Sequence, residues 1–199
     1  MRWWPIVGLL AAACAAPTEV VVLVDSDLPL APRTPSIDVE PGQLRFLSIT
    51  LECLEDEGDP PCDIEDRGPI LDRGFGQDYT QIAAGVAPPF YLGLLREGDV
   101  DRRFRVQVEG LVGPESAESV VRASGVTRFV DGHSKVMTLV LYTLCLNATC
   151  STGETCGPDG GCVSEEQLDL PEWTGDCTDF SLPAADGSAR DCVERARLE

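Results

Sequence analysis

Alternation of apolar and polar residues is clearest in the segment RFRVQVEGL, Arg103–Leu111. Phe104, Val106 and Val108 lie on one side of such a strand, and polar side chains lie on the other, as expected for a strand with one buried face. Other segments are rich in β-branched residues and are bounded by Gly, Pro and Asp. We expect strands at 18–25, 43–51, 89–95, 103–111, 118–123, 125–130 and 135–146, with a turn at Ser124-Gly125.

Several short strands separated by turns predict a mainly β fold, an antiparallel β-sandwich over residues 18–146. An acidic loop insertion covers 52–89, and 147–199 forms a disulfide-rich segment and tail, for which we expect a short terminal helix. The expected core positions are Phe104, Val106, Val108, Val136, Leu139 and Leu141.

The N-terminus has the layout of an export signal. Arg2 precedes the apolar run Ile6–Ala13, which is too short to span a bilayer, so 1–13 is interpreted as a signal peptide. The letters LAAAC resemble the lipobox of bacterial lipoproteins, although Ala11 stands where leucine is preferred. We predict lipidation of Cys14, with 14–17 as a linker to a membrane anchor. The alternative is ordinary signal-peptidase cleavage after Ala13 or Ala15.

The chain has nine cysteines, and eight remain when Cys14 is set aside. An even number in an exported chain predicts four disulfides, and a zinc site is disfavoured because no C-x-x-C is present and His133 is the only histidine. We expect Cys53–Cys62 and Cys177–Cys192 as local pairs. The other four cysteines allow three connectivities, and we favour the interleaved pairs Cys145–Cys156 and Cys150–Cys162.

A net charge of −19 argues against binding to nucleic acid and against electrostatic docking on anionic lipid. Part of this charge lies in an acidic loop, which offers weak candidates for calcium ligands because carboxylate oxygens suit that cation. The loop lacks the D-x-[DN]-x-[DN]-G frame, so a solvated acidic loop is favoured. The calcium candidates are Asp56, Asp59, Asp63 and Asp66.

No motif for nucleophilic, metal or nucleotide chemistry is present. His133 lies in VDGHSK, which is expected to be an exposed turn. We therefore predict no catalytic residue and no cofactor. Asn147-Ala148-Thr149 is a glycosylation acceptor pattern, and Trp173 is expected to pack the tail onto the sandwich.

Several segments after Cys14 carry a resemblance to a known group of proteins. They are TEVVVLVDSDL, RFRVQVEGL, VVR…GVTRFVDG, ATCSTGETCGPDGGCVSEE and PEWTGD. The chain resembles predicted surface lipoproteins of high-GC Gram-negative bacteria, a group whose function is not established. The resemblance implies an immunoglobulin-like or prealbumin-like sandwich and an outer-membrane location, and it implies no catalytic residue. The acidic Cys53–Cys62 loop and the segment with Cys177 and Cys192 depart from this group.

Two function classes follow from these observations. One is a non-enzymatic cell-envelope lipoprotein that binds a protein, a glycan or an envelope component. The alternative is a soluble secreted disulfide-rich inhibitor or ligand-like factor, glycosylated at Asn147. A third and weaker reading is an envelope hydrolase that uses His133 with a carboxylate.

Overall fold

The computed structural model describes residues 18–28, 44, 46–54, 89–96, 103–111, 119–176, 180 and 193–198. Within these residues the chain is mainly β, as predicted from its patterning. None of the helical structure in this part of the chain is long and apolar enough to cross a membrane. The strands are β1 Glu19–Ser26, β2 Phe46–Cys53, β3 Phe90–Leu95, β4 Arg103–Leu111, β5 Ser119–Arg128, β6 Ser134–Leu141, β7 Glu154–Cys156, β8 Cys162–Ser164 and β9 Val193–Leu198.

The longer strands form two sheets. One sheet has the order β2-β4-β5 and is antiparallel throughout. The other has the order β6-β1-β3-β9 and is mixed, because β1 is parallel to β6 and β3 is parallel to β9. The expectation of antiparallel pairing is therefore right for the three-stranded sheet and for β1 with β3, and wrong for the two parallel pairs of the four-stranded sheet. The run VVVLV in β1 suits the central position of this strand, since continuous apolar residues are typical of a strand covered on both faces.

Buried side chains from both sheets form one hydrophobic cluster. Val20, Val22 and Val24 of β1 contribute to this cluster, whereas Leu23 lies in a second cluster with Val136. The predicted core is confirmed in that all of its members are buried, although Val136 belongs to the second cluster. The four-stranded sheet is therefore covered on both faces, and the second face is covered in part by the tail.

Strand β5 runs without interruption through Ser124 and Gly125, so the predicted turn at this dipeptide is wrong. A Cβ atom on Gly125 would lie 2.9 Å from Sδ of Met137 and 3.0 Å from Nε2 of Gln167. The glycine thus permits a close approach of neighbouring elements, which is a common reason for glycine inside a strand.

Two other boundaries differ from expectation. Strand β6 ends at Leu141 and is followed by a short 3-10 turn, Thr143–Cys145, in which the backbone N–H and hydroxyl of Thr143 donate to Oδ1 of Asp27 at 2.6 and 2.9 Å. The expected C-terminal helix is instead strand β9, which pairs with β3. This pairing covers backbone groups of β3 that would otherwise form an exposed sheet edge.

The segment after β6 contains a small hairpin of β7 and β8 and is held by two interleaved disulfides. Cys145 pairs with Cys156 and Cys150 pairs with Cys162, with Cα–Cα distances of 5.9 and 5.6 Å. The favoured connectivity of these four cysteines is therefore confirmed. The segment also contacts both sheets, because Glu166 bridges to β5 and Glu172 bridges to β6.

Candidate functional site

A groove of about 540 Å³ lies over the solvent-facing side of β4 and β5. The side chains of Arg105 and Gln107 on β4 and of Arg122 and Ser124 on β5 line one side, and the segment 147–156 lines the other. This volume is within the range of small-molecule sites, about 300–1,000 Å³. The position of the groove follows from the alternation in β4, because Phe104, Val106 and Val108 face the core and the intervening polar residues face outward.

The segment 147–156 is held in place at several points. Cys145 and Cys156 are buried in the main core, so their disulfide ties the segment to the hydrophobic cluster. The backbone N–H of Asn147 donates to the carbonyl of Val120 at 2.7 Å, and Asn147 has a φ of 58°, a left-handed conformation that asparagine tolerates. The hydroxyl of Thr155 accepts a hydrogen bond from the backbone N–H of Ser124 at 2.9 Å. One side of the groove is therefore a preformed wall.

Glu165 lines the groove and is buried, with a side chain that is 6% exposed. Its Oε1 accepts hydrogen bonds from Nη2 and Nε of Arg105 at 2.8 and 3.1 Å, and its Oε2 accepts one from the hydroxyl of Ser124 at 2.8 Å. Arg105 also pairs with Glu52. The hydrogen bonds to Glu165, with a smaller contribution from Glu52, raise the pKa of Arg105 above its ordinary value against the opposing effect of burial.

The pairing of Ser124 with Glu165 brings a hydroxyl next to a carboxylate. Both residues are buried, and the carboxylate is already held by the guanidinium of Arg105. These contacts attach the segment after β8 to the three-stranded sheet. Sequence reasoning missed all three residues, and no motif in the sequence links positions so far apart.

Charged and neutral side chains of the groove differ in whether they form hydrogen bonds to other residues of the protein. Arg122 donates to Oε1 of Glu109 at 2.6 and 2.9 Å, and Oε2 of Glu154 accepts from the backbone N–H of Ser151 at 3.2 Å. Several neutral side chains make no hydrogen bond to any other residue in the described part of the chain. These are Gln107, Asn147, Thr149, Ser151 and Thr152.

A second polar cluster lies at the opposite sheet. Oε1 of Glu172 is 2.9 Å from Nδ1 of His133 and 2.7 Å from Nζ of Lys135. The hydrogen bond from Lys135 lowers the pKa of the Glu172 carboxyl against the opposing effect of desolvation, and His133 adds a further lowering. His133 is half exposed at the end of a turn, as predicted.

Trp173 packs the tail against the outer face of the four-stranded sheet, as predicted. Its ring centroid lies 5.1 Å from that of Tyr91 and 6.0 Å from that of Phe180. These rings pack against buried Leu23 and Val136. Together with Glu172, this contact fixes the tail to the edge and outer face of the sheet.

Some of the remaining predicted site residues lie in the described part of the chain, and the others lie outside it. Cys53 is disulfide-bonded, and its expected partner Cys62 lies outside the described residues. In the described ranges no three or more His, Cys, Asp or Glu residues are grouped as a metal site would require. Also outside these ranges are Cys14, Asp56, Asp59, Asp63, Asp66, Cys177 and Cys192.

Comparison of the chain with protein-family models, with curated proteins and with solved structures found no match.

Proposed function

We propose that this protein is a non-enzymatic lipoprotein of the cell envelope, exported and anchored in the outer membrane through a lipid on Cys14. Its two main sheets form a β-sandwich of the immunoglobulin-like or prealbumin-like kind. Its function is to bind a component of the cell surface in the groove between β4, β5 and the segment 147–156.

The single observation that carries this proposal is the combination of a preformed wall with free neutral polar groups. Two disulfides and the Asn147 and Thr155 hydrogen bonds hold the wall, so little ordering is needed when a ligand enters. The hydrogen-bonding groups of Gln107 and Thr152 are available, because neither side chain is used within the described part of the protein.

The contacts of Glu165 favour binding over hydrolysis. A general base must be able to take a proton from a reacting group, and it is placed within hydrogen-bond reach of that group. The Glu165 carboxylate instead accepts hydrogen bonds from Arg105 on both oxygens and is 6% exposed. Its role is to join the disulfide-linked segment to the sheet.

The sandwich is supported by the shared core. Val22 of β1 and Val108 of β4 belong to different sheets, yet both are fully buried in one cluster. Two sheets that bury their inner faces against each other are the defining feature of a sandwich. The lipid anchor is supported by the placement of Cys14 after a short apolar signal. The residues from Cys14 to Thr18 reach at most about 14 Å, which would hold the β-module close to the membrane.

Metabolic labelling with an alkyne fatty acid tests the anchor. We expect the wild-type protein to be labelled and to remain in the membrane fraction, and the Cys14→Ser variant to be unlabelled and soluble. Membrane retention of the Cys14→Ser variant would contradict lipid anchoring.

Binding of the fluorescently labelled, purified Cys14→Ser protein, which lacks the proposed lipid, to isolated cell envelopes tests the groove. Thr152→Trp places a large ring on the wall of the groove, whereas Thr174→Trp places the same ring at an exposed position outside it. We expect Thr152→Trp to abolish binding and Thr174→Trp to preserve it. Failure of the Cys14→Ser protein to bind, or equal binding when Thr152→Trp or Thr174→Trp is added to it, would contradict the proposal.

The alternative of a secreted factor makes a conflicting claim about Asn147. This residue is exposed and lines the groove, so a glycan attached to it would occupy the space that we assign to the ligand. Intact-mass measurement of the native protein separates the two readings. We expect the mass of a lipid-modified chain without a glycan, and a glycan on Asn147 would favour the secreted factor.

A further inference from the structure

We infer that the ligand of the groove is an uncharged saccharide. This inference rests on the proposed function and adds to it the chemical class of the ligand. Three features of the groove carry it, namely the pairing of its charges, the identity of its free groups and the way the wall closes against β5.

The charged side chains of the groove are used within the protein. Arg105 pairs with Glu165 and Glu52, and Arg122 pairs with Glu109. An anionic ligand would have to break such a pair or remain without an opposite charge in a partly enclosed site, and either change is unfavourable. Glu154 also lines the groove and accepts a backbone hydrogen bond, so a cationic ligand would meet this one exposed carboxylate beside two guanidinium groups. The groove is therefore suited to a ligand without net charge.

The free groups of the groove are those that recognise hydroxyls. Amide side chains, as in Gln107 and Asn147, both donate and accept hydrogen bonds, and so do the hydroxyls of Thr149, Ser151 and Thr152. A sugar hydroxyl also donates and accepts, so it can be matched by any of them. Gln107 lies on the strand and the other four lie on the wall, so a ligand between them would be bound from two sides.

The main chain of β5 adds one hydrogen-bond donor and one acceptor to the groove. Its contacts with the wall also restrict the shape of the ligand. The carbonyl of Val120 and the N–H of Ser124 are directed to the edge of β5, where they bind Asn147 and Thr155. Alternation along a strand directs the N–H and C=O of Arg122 to the same edge, between these two contacts. Because the wall contacts β5 on both sides of Arg122, a peptide cannot pass along this edge as an added strand. This closure favours a short ligand over an extended polypeptide.

Calorimetric titration of the full-length protein tests the class of ligand. The probes are the uncharged oligosaccharides chitotetraose, maltotetraose, cellotetraose and mannotetraose, the charged tetragalacturonate and a heparin tetrasaccharide, and the peptide tetra-alanine. We expect at least one uncharged oligosaccharide to bind. Gln107→Ala and Thr152→Ala should each weaken that binding by about threefold to tenfold, the range expected for the loss of a neutral hydrogen bond. Thr174→Ala is the matched control and should leave the affinity unchanged.

Three results would overturn the inference. The first is preferential binding of a charged oligosaccharide or of tetra-alanine, and the second is binding of an uncharged oligosaccharide that neither Gln107→Ala nor Thr152→Ala weakens. The third is the absence of binding to every probe. If envelope binding is still abolished by Thr152→Trp in that case, the ligand class is wrong and the proposed function stands. If envelope binding is also absent or insensitive to Thr152→Trp, the proposed function fails as well.

Discussion

Nη2 of Arg105 lies 2.8 Å from Oε1 of Glu165, although the two residues are 60 positions apart in the chain. Arg105 belongs to the middle strand of the three-stranded sheet, and Glu165 follows the last strand of the disulfide-linked hairpin. The pair therefore connects the sheet to the disulfide-linked hairpin, whose strand β7 belongs to the wall of the groove.

Replacement of Glu165 by Ala should destabilise the protein. It removes the buried partner of Arg105 and the acceptor for the Ser124 hydroxyl. We expect the free energy of unfolding to fall by about 2–3 kcal/mol, since hydrogen bonds to charged groups contribute about 1.5–3 kcal/mol and Arg105 keeps Glu52. Glu166→Ala is the control, because this exposed carboxylate pairs with Arg103 at the surface and should change stability by less than about 1 kcal/mol. Urea denaturation measures both, and equal effects would contradict a special role for Glu165.

The strands could be predicted from the sequence wherever one face is buried. Strand β4 has the predicted bounds, because each inward residue of RFRVQVEGL is apolar and each outward one is polar until Gly110. The Arg105–Glu165 pair could not be predicted, since alternation specifies the face of a side chain and not its partner across the fold. The turn assigned to Ser124-Gly125 failed for a related reason. Glycine occurs both in turns and where two elements approach closely. Only the positions of Met137 and Gln167 next to Gly125 show that the second explanation applies here.

Gly125→Ala tests the packing explanation. An added methyl group would lie 2.9 Å from Sδ of Met137 and 3.2 Å from Cδ2 of Leu139 inside the protein. We expect a loss of about 1–3 kcal/mol in the free energy of unfolding, as is usual for overpacking. Gly161→Ala is the control, because its nearest neighbour would be the exposed side chain of Asp159 at 3.3 Å, which can move. A neutral or stabilising effect of Gly125→Ala in urea denaturation would contradict the close approach.

The two disulfides of the wall should differ in their resistance to reduction. Cys145 and Cys156 are buried, whereas Cys162 is exposed to solvent. Because a reductant must reach a sulfur atom, we expect a limiting amount of reductant to open Cys150–Cys162 first. Alkylation followed by mass spectrometry of the digested protein identifies the free thiols. Earlier labelling of Cys145 or Cys156 would contradict the burial of their bond.

Removing the two disulfides in separate variants should distinguish two contributions to stability: the constraint that each bond places on the unfolded chain, and the packing of its cysteines in the core. The sequence separations are 11 and 12 residues, so the loss of constraint on the unfolded chain is nearly equal, about 3 kcal/mol for each bond. We expect Cys145→Ser with Cys156→Ser to destabilise the protein more than the paired change at Cys150 and Cys162, because only the former places hydroxyls in the core. Thermal unfolding measures the difference, and the opposite order would contradict it.

Sequence alone allows three connectivities for these four cysteines. The interleaved one is favoured because it would tie the end of a long strand to the glycine-rich loops, and it is the one that the structure contains. Strand β9 could not be predicted in the same way. Its partner is β3, far earlier in the chain, and a short segment such as VERARL has no periodicity strong enough to distinguish a strand from a helix. The attachment of the tail was predictable only in part, through Trp173. The ion pair formed by Glu172 beside it depends on the pairing of the tail with β6.

Lys135→Gln should shift the titration of Glu172 to higher pH. The hydrogen bond from Lys135 is the main cause of the lowered pKa of the Glu172 carboxyl, and His133 adds to it. A group whose pKa is lowered on folding stabilises the folded state above its unfolded pKa, and this contribution is lost as pH falls through the folded pKa. Attachment of the tail through Glu172 should therefore persist at neutral pH and weaken only below the ordinary range of a carboxyl group. Carbon-detected NMR of the Glu172 carboxyl should show a higher midpoint in Lys135→Gln and little change in Lys135→Arg, which keeps the charge. An unchanged or lower midpoint in Lys135→Gln would contradict the role of Lys135.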